Sequence, residues 1–401
     1  MRPIQYKRPQ VDKIKQAFLS KKPLLQVIIG PRQVGKSTAA EQVRNLLGWP
    51  AVVESADSVL PHRPEWIENH WLRARKLARS KPALLVLDEI QKVSGWSEVV
   101  KRLWDEEVRL GGLVRPLILG SSALLVQRGL TESLAGRFFL HRFNHWSFAE
   151  CQKAFAWNLD QWLYFGGYPG AAAFVGDEGV WKRYITDSLI ETVIARDVLQ
   201  LQTVTKPALL RQLFALSATY PAQVFSYNKM LGQLTDAGNT TTLAHYLDLL
   251  ETAFLASGLE MFSKGRPRKR GSSPKFIVWN NALINAISYK SFAETQADSG
   301  WYGRIVENAV GAKLLNELSG SEWSLSYWRE GDAEVDFVLS RGTATWGIEV
   351  KSGRSGKVSG IDEFQRKYPK AKIVMIGRSG IPLEEFFLRP PEEWFNEEII
   401  K

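Results

Sequence analysis

Two groups of residues have types and spacing that could do chemistry, and they lie far apart along the chain. The first is G-P-R-Q-V-G-K-S at 30–37. Gly30 and Gly35 let a loop curl until its backbone N–H groups point at one spot, and such a concavity binds phosphate. Lys36 is placed to reach the β- and γ-phosphates of ATP, and the Ser37 hydroxyl to ligate Mg²⁺. Pro31, Arg32, Gln33 and Val34 line the turn, and Thr38 follows where a helix begins. An apolar run, L-L-Q-V-I-I, precedes the motif and a helical pattern follows it, as a phosphate loop requires.

A second apolar run, L-L-V-L-D-E, ends in Asp88 and Glu89. Nucleotides bind at the carboxyl edge of open parallel sheets, so these acids are expected beside the loop. Asp88 would hold magnesium through its water shell, and Glu89 would orient and deprotonate an attacking water. The run L-I-L-G-S-S offers Ser121 and Ser122 as hydroxyl contacts to the γ-phosphate, or as a plain strand-end turn. Arg137, in L-A-G-R-F-F, precedes the last strand pattern and is the candidate arginine finger, a role often supplied by a neighbouring subunit.

The second group is E-V-D-F-V-L-S-R-G-T-A-T-W-G-I-E-V-K, which reads as a hairpin turning near Arg341–Ala344. If Ser340 pairs with Thr345, Asp336 lies opposite Glu349, and Lys351 is on the same face. A helix over 301–318 adds Glu307, with Gly303 and Gly311 one turn away on each side to allow close approach. Glu307, Asp336 and Glu349 would make an oxygen-rich Mg²⁺ site, and Lys351 could orient a water attacking a phosphodiester. The alternative is a structural ion-pair cluster on a retained fold.

Between these groups, residues 226–279 have the order of a winged helix. The second helix of the pair opens with Thr240, Thr241 and Thr242, at the end that faces the major groove in helix-turn-helix docking. A loop carrying Lys264, Arg266, Arg268, Lys269, Arg270 and Lys275, with no acid among them, suits phosphate neutralisation by a DNA-binding wing. A solvated protein-contact surface is the competing reading.

These sites need scaffolds. Residues 24–143 alternate short apolar runs with helical patterns, which predicts a parallel α/β sheet. Helical periodicity takes over from about 150, and a second α/β pattern begins near 301. The expected divisions are 1–150, a helical lid or linker at 151–225, a winged-helix-like region at 226–292, and 293–401. With 401 residues, several domains are expected. The 52 Lys+Arg against 42 Asp+Glu leave +10, which favours a polyanionic partner without naming one. The one cysteine, Cys151, excludes an internal disulfide, no Cys/His cluster suggests zinc, and no apolar run approaches the roughly 18 residues that span a bilayer. A cytoplasmic protein is expected. The 15 tryptophans sit mostly among apolar neighbours and read as core.

G-P-R-Q-V-G-K-S-T, L-D-E-I-Q, G-S-S and L-A-G-R with W-S-F-A-E together resemble a widespread family of bacterial and archaeal AAA-type ATPases with a C-terminal restriction-endonuclease-like domain of unassigned function. The likeness continues through G-G-Y-P, A-R-D, Y-L-D-L-L-E, Y-W-R, E-V-D-F-V and I-E-V-K, covering nearly the whole chain. It implies an AAA+ front domain, a helical and winged-helix middle, and an endonuclease-like α/β domain at the end. Arg137 matches the family's finger position, which implies a homo-oligomeric ring, with a hexamer as one form. Glu307, Asp336, Glu349 and Lys351 match the nuclease-like pattern. The chain departs at V-W-N-N-A-L (278–283), where the family places an aspartate at Asn280 or Asn281. The implied function is a DNA-remodelling or translocating ATPase; the alternative is a nucleotide-dependent switch that docks protein partners.

Overall fold

The computed structural model describes residues 6–20, 22–57, 63–120, 130, 133–199, 204–235, 238–263, 266–268, 273–353, 359–378 and 380–395. The chain forms two compact units, Met1–Asn144 and His145–Lys401.

In the first unit, strands β1 (Leu25–Ile29), β2 (Ala51–Ser55), β3 (Ala83–Asp88), β4 (Val114–Gly120) and β5 (Phe138–Arg142) form one sheet in the order β2-β3-β4-β1-β5. Every pairing is parallel. β1 and most of β3 and β4 are buried along their length, which is why they read as continuous apolar runs instead of alternating ones. The strand runs expected from the sequence are present. Because the strands are parallel, their carboxyl ends share one edge, and the loop after β1 meets the acids after β3 there. Gly30 is obligatory at that edge: its φ is 155°, and a Cβ would lie 1.9 Å from the Phe143 carbonyl oxygen.

The second unit opens with helices Phe148–Phe155 and Leu159–Phe165, both started by capping boxes. Segments Tyr184–Ile190 and Val193–Leu199 are wound as π-helix. Helices Pro207–Thr219, Tyr227–Gln233 and Thr240–Thr252 follow, then β6 (Ala256–Leu259), β7 (Met261–Ser263), β8 (Arg266–Arg268) and β9 (Lys275–Val278). β6 and β9 pair antiparallel, with Val224 bridging to Lys275.

The basic stretch is not a simple loop between two wing strands. β7 pairs parallel with β10 (Ser324–Glu330), and β8 hangs on β7. The sheet therefore runs β13-β12-β11-β10-β7-β8, with β11 (Ala333–Arg341), β12 (Ala344–Lys351) and β13 (Lys372–Gly377). One side of this sheet buries Phe262, Trp328, Val335 and Val338 against Ile361 and Phe364 of the helix Ser359–Lys367. Helix Ser299–Leu318 packs against β9 and β12. No helix of the described residues is long and apolar enough to cross a membrane.

Candidate functional site

The loop after β1 has the expected cradle. Gln33 and Gly35 take left-handed φ values of 62° and 90°, which turn successive N–H groups inward. Gly35 occupies the N-cap of helix Lys36–Leu47, and no side chain caps that end. The first N–H groups of the helix, and the positive end of its dipole, are therefore offered to an anion. Lys36 is largely buried, and its ammonium donates to the Gly30 and Pro31 carbonyl oxygens at 2.9 and 2.7 Å. Val34 anchors the loop in the core, while Ser37 and Thr38 are exposed.

The Ser37 hydroxyl donates to Asp88 Oδ2 at 2.8 Å, and the Glu89 N–H donates to Asp88 Oδ1 at 2.9 Å. Burial pushes the Asp88 carboxyl above its ordinary value, Ser37 pulls it back, and the adjacent Glu89 adds to the rise. Two hard oxygen donors in contact at the rim of a cavity of about 220 Å³ fit a Mg²⁺–nucleotide group. Glu89 adopts a left-handed φ of 54° and accepts from Gln91 Nε2 at 2.5 Å. Such strained backbone re-aims a side chain at a strand end. Arg137 lies just before β5 and forks onto Asp105 at 2.7 and 3.0 Å, holding that carboxyl below its ordinary range. Ser121 and Ser122 lie outside the described residues.

In the second unit the β11–β12 hairpin has the expected register, Ser340 opposite Thr345. The pairing runs to Phe337–Ile348; beyond it, Asp336 Oδ2 accepts the Val350 N–H at 2.8 Å. Gly311 permits the close approach of the helix, since a Cβ there would meet Phe337 and Ile277 at 2.8 Å. Glu307 and Asp336 do converge.

What they converge on is a lysine. Lys275 Nζ lies 2.6 Å from Glu307, 3.2 Å from Glu334 and 3.7 Å from Asp336, and 3.1 Å from the Asp336 carbonyl oxygen. Its residue exposure is 0%. Burial alone would discharge it, but Glu307, Asp336 and Glu334 outweigh that and hold it charged. Burial pushes Glu307 up to about 8, with Asp336 adding and Lys275 opposing. Glu349 Oε1 pairs with Lys351 at 2.6 Å, while its buried Oε2 has no partner.

Two expectations are corrected here. Lys275 is not a DNA-facing wing residue, because it begins a fully buried strand and spends its charge on carboxylates. The expected Mg²⁺ site at Glu307, Asp336 and Glu349 does not fit a divalent cation, because an ammonium already sits among Glu307 and Asp336 and Asp336 also serves the backbone. No group of three metal-ligating side chains is found among the described residues. Glu334 was missed, although it stands two residues before Asp336 on β11, and alternation puts both on one face.

Of the winged-helix residues, Thr240 and Thr241 are exposed, while the Thr242 hydroxyl donates to Asn239 at 3.0 Å. Arg266 and Arg268 fall in β8, and Lys264, Lys269 and Arg270 lie outside the described residues. The departure at Asn280–Asn281 is resolved by geometry. Asn280 Oδ1 accepts from the Gly167 and Ala282 N–H groups, a task an aspartate does equally well. Asn281 Nδ2 donates to the Leu163 and Ile305 carbonyls, which an aspartate cannot.

Residues 22–152 match a family model described as AAA domain. Residues 156–294 and 302–387 match models described as Domain of unknown function (DUF8612) and Domain of unknown function (DUF4143). An uncharacterized protein of Mycobacterium tuberculosis is 27% identical over 340 residues, covering 83% of this chain and 71% of that protein. Uncharacterized proteins of Haemophilus influenzae and Methanocaldococcus jannaschii are each 24% identical, over 351 and 277 residues. They cover 81% and 64% of this chain, and 82% and 58% of their own lengths. Among solved structures, the Walker-type ATPase of Pyrococcus abyssi aligns with a TM-score of 0.47 at 13% identity, covering 71% of this chain and 95% of that one. The phosphate loop, the parallel sheet and the match over 22–152 make the first unit a P-loop domain of the AAA ATPase type.

Proposed function

We propose that this chain is an ATP-hydrolysing enzyme that acts on DNA. The observation that carries the ATPase reading is the Ser37–Asp88 contact with Glu89 one residue beyond, at the mouth of an uncapped helix. Ser37 and Asp88 would hold the Mg²⁺ that accompanies ATP, which would supply charge neutralisation for the phosphates. Lys36 leaves the Gly30 and Pro31 carbonyls for phosphate oxygens, and the loop N–H groups donate to the same anion. Glu89 orients the attacking water and takes its proton. Arg137 leaves Asp105 to serve the γ-phosphate of a neighbouring subunit, which calls for a homo-oligomeric ring.

The DNA grip rests on the basic stretch around β8 and on the start of helix Thr240–Thr252, in a winged-helix arrangement. The six-stranded sheet behind it is read as endonuclease-like in architecture, and no cleavage step is assigned to it. Cys151 is buried and has no second cysteine in the sequence to bridge to, which suits a cytoplasmic setting.

One observation favours a second reading. The cleft of about 880 Å³ beside Thr240 and Thr241 is also lined by Asp248 and Glu260, whose charge opposes a phosphate backbone there. In that reading the second unit docks a protein and nucleotide state switches the contact. ATP turnover measured with and without single-stranded, duplex and branched DNA across a salt series separates the two. DNA stimulation that fades as salt rises is expected. Turnover indifferent to every DNA would move the second unit to the protein-docking role, and absence of turnover under all conditions would refute the enzyme.

A further inference from the structure

Glu307, Glu334 and Asp336 come from helix Ser299–Leu318 and β11, and together they surround a single cation from β9, Lys275. Carboxylates this close repel unless something neutralises them, and the two usual solutions are a proton or a metal ion. We propose that Lys275 is the resident cation of this centre in place of a divalent metal, so that the endonuclease-like module is closed to Mg²⁺.

Two features support the substitution. The ammonium lies at hydrogen-bonding distance from Glu307 and Glu334, where a metal drawing on the same oxygens would bring a second cation into direct repulsion. Lys275 cannot easily swing away. It is fully buried, its strand is paired to β6 and bridged to Val224, and its ammonium lies 5.1 Å from the centre of the Phe337 ring.

The inference rests on the endonuclease-like reading only for what the centre would otherwise do. Its test reads cation binding and is blind to ATP turnover, so the two can fail separately. The full-length chain carrying Asp88→Asn, free of nucleotide, silences the front site, and bound Mn²⁺ is counted by electron paramagnetic resonance. With Lys275 in place, no Mn²⁺ bound at the second unit is expected at millimolar concentration. Adding Lys275→Met should raise the stoichiometry from none to one per chain, and adding Asp336→Asn to that variant should abolish the new site. A Mn²⁺ site present beside Lys275 and lost with Asp336→Asn would overturn the proposal. So would a folded Lys275→Met chain that gains no site. The arm that keeps Lys275 needs no change in the second unit, so it decides the matter even where Lys275→Met does not fold.

Discussion

Lys36 and Lys275 are both buried lysines held by oxygen, and they differ in what kind of oxygen holds them. Lys36 rests on the carbonyls of Gly30 and Pro31, which are dipoles without net charge. Lys275 rests on Glu307, Glu334 and Asp336, whose charge outweighs its burial and keeps it protonated. The first arrangement suits a lysine that a phosphate arriving from outside can draw onto itself. The second is answered from within. A lysine among carbonyls marks a site waiting for an anion, and a lysine among carboxylates marks one already satisfied.

The sharpest way to break this contrast is through function. Lys36→Ala should reduce ATP binding and turnover to background, because Lys36 is the loop residue placed to reach the β- and γ-phosphates. Glu89→Gln should keep ATP binding and lower turnover by roughly 10²–10⁴, the span of a lost general base. Equilibrium nucleotide binding beside steady-state turnover distinguishes them, and normal turnover in Glu89→Gln would remove that residue from the chemistry.

Stability should show the reverse order. Lys275→Met strips the cation from buried acids and should cost about 3–5 kcal/mol of the second unit's stability. Lys36→Met leaves only neutral carbonyls without their donor and should cost less, about 1–3 kcal/mol. Urea unfolding of the two variants makes the comparison, and equal losses would erase the distinction drawn above.

Acid should weaken the first unit by a separate route. Burial, helped by the charge of Lys13, lowers His141 from its ordinary 6.5 to about 4, and Gln26 Oε1 lies 2.7 Å from its ring. Between those values the unfolded chain takes up a proton that the folded chain refuses, so stability rises with pH there and is lost on acidification. The difference amounts to about 3 kcal/mol between pH 6.5 and 4. His141→Gln should flatten that limb in a pH series of unfolding midpoints, and an unchanged slope would assign the acid loss elsewhere.

The smallest effect is expected at the exposed ion pair. Asp105→Ala releases the Arg137 fork from a half-exposed carboxylate and should leave stability nearly unchanged. If Arg137 serves a neighbouring subunit, the same change should alter turnover and its dependence on protein concentration. Turnover unaffected at every concentration would leave Arg137 a surface contact.

Much of the first unit was legible because its signals are local. Strands buried on both faces leave unbroken apolar runs, and the phosphate loop is one contiguous motif. The β11–β12 register was also readable, since a short turn fixes it. The role of Lys275 was hidden because its partners Glu334 and Asp336 lie 59 and 61 residues further on. Its immediate neighbours, Lys269 and Arg270 among them, make it look like part of a solvated basic run. The pairing of β7 beside β10 was hidden for the same reason, since parallel partners carry no hairpin signal.

The position of Lys275 also bears on where this protein can be divided. The two regions of unknown function it matches meet between residues 294 and 302, so the cation falls in one and Glu307, Glu334 and Asp336 in the other. Neither half is electrostatically whole. A fragment starting near 295 would carry the acids without their counter-charge, and grafting either half onto a foreign partner would do the same. The inherited module is therefore the pair, and positions 275, 307 and 336 are expected to change together across relatives or not at all.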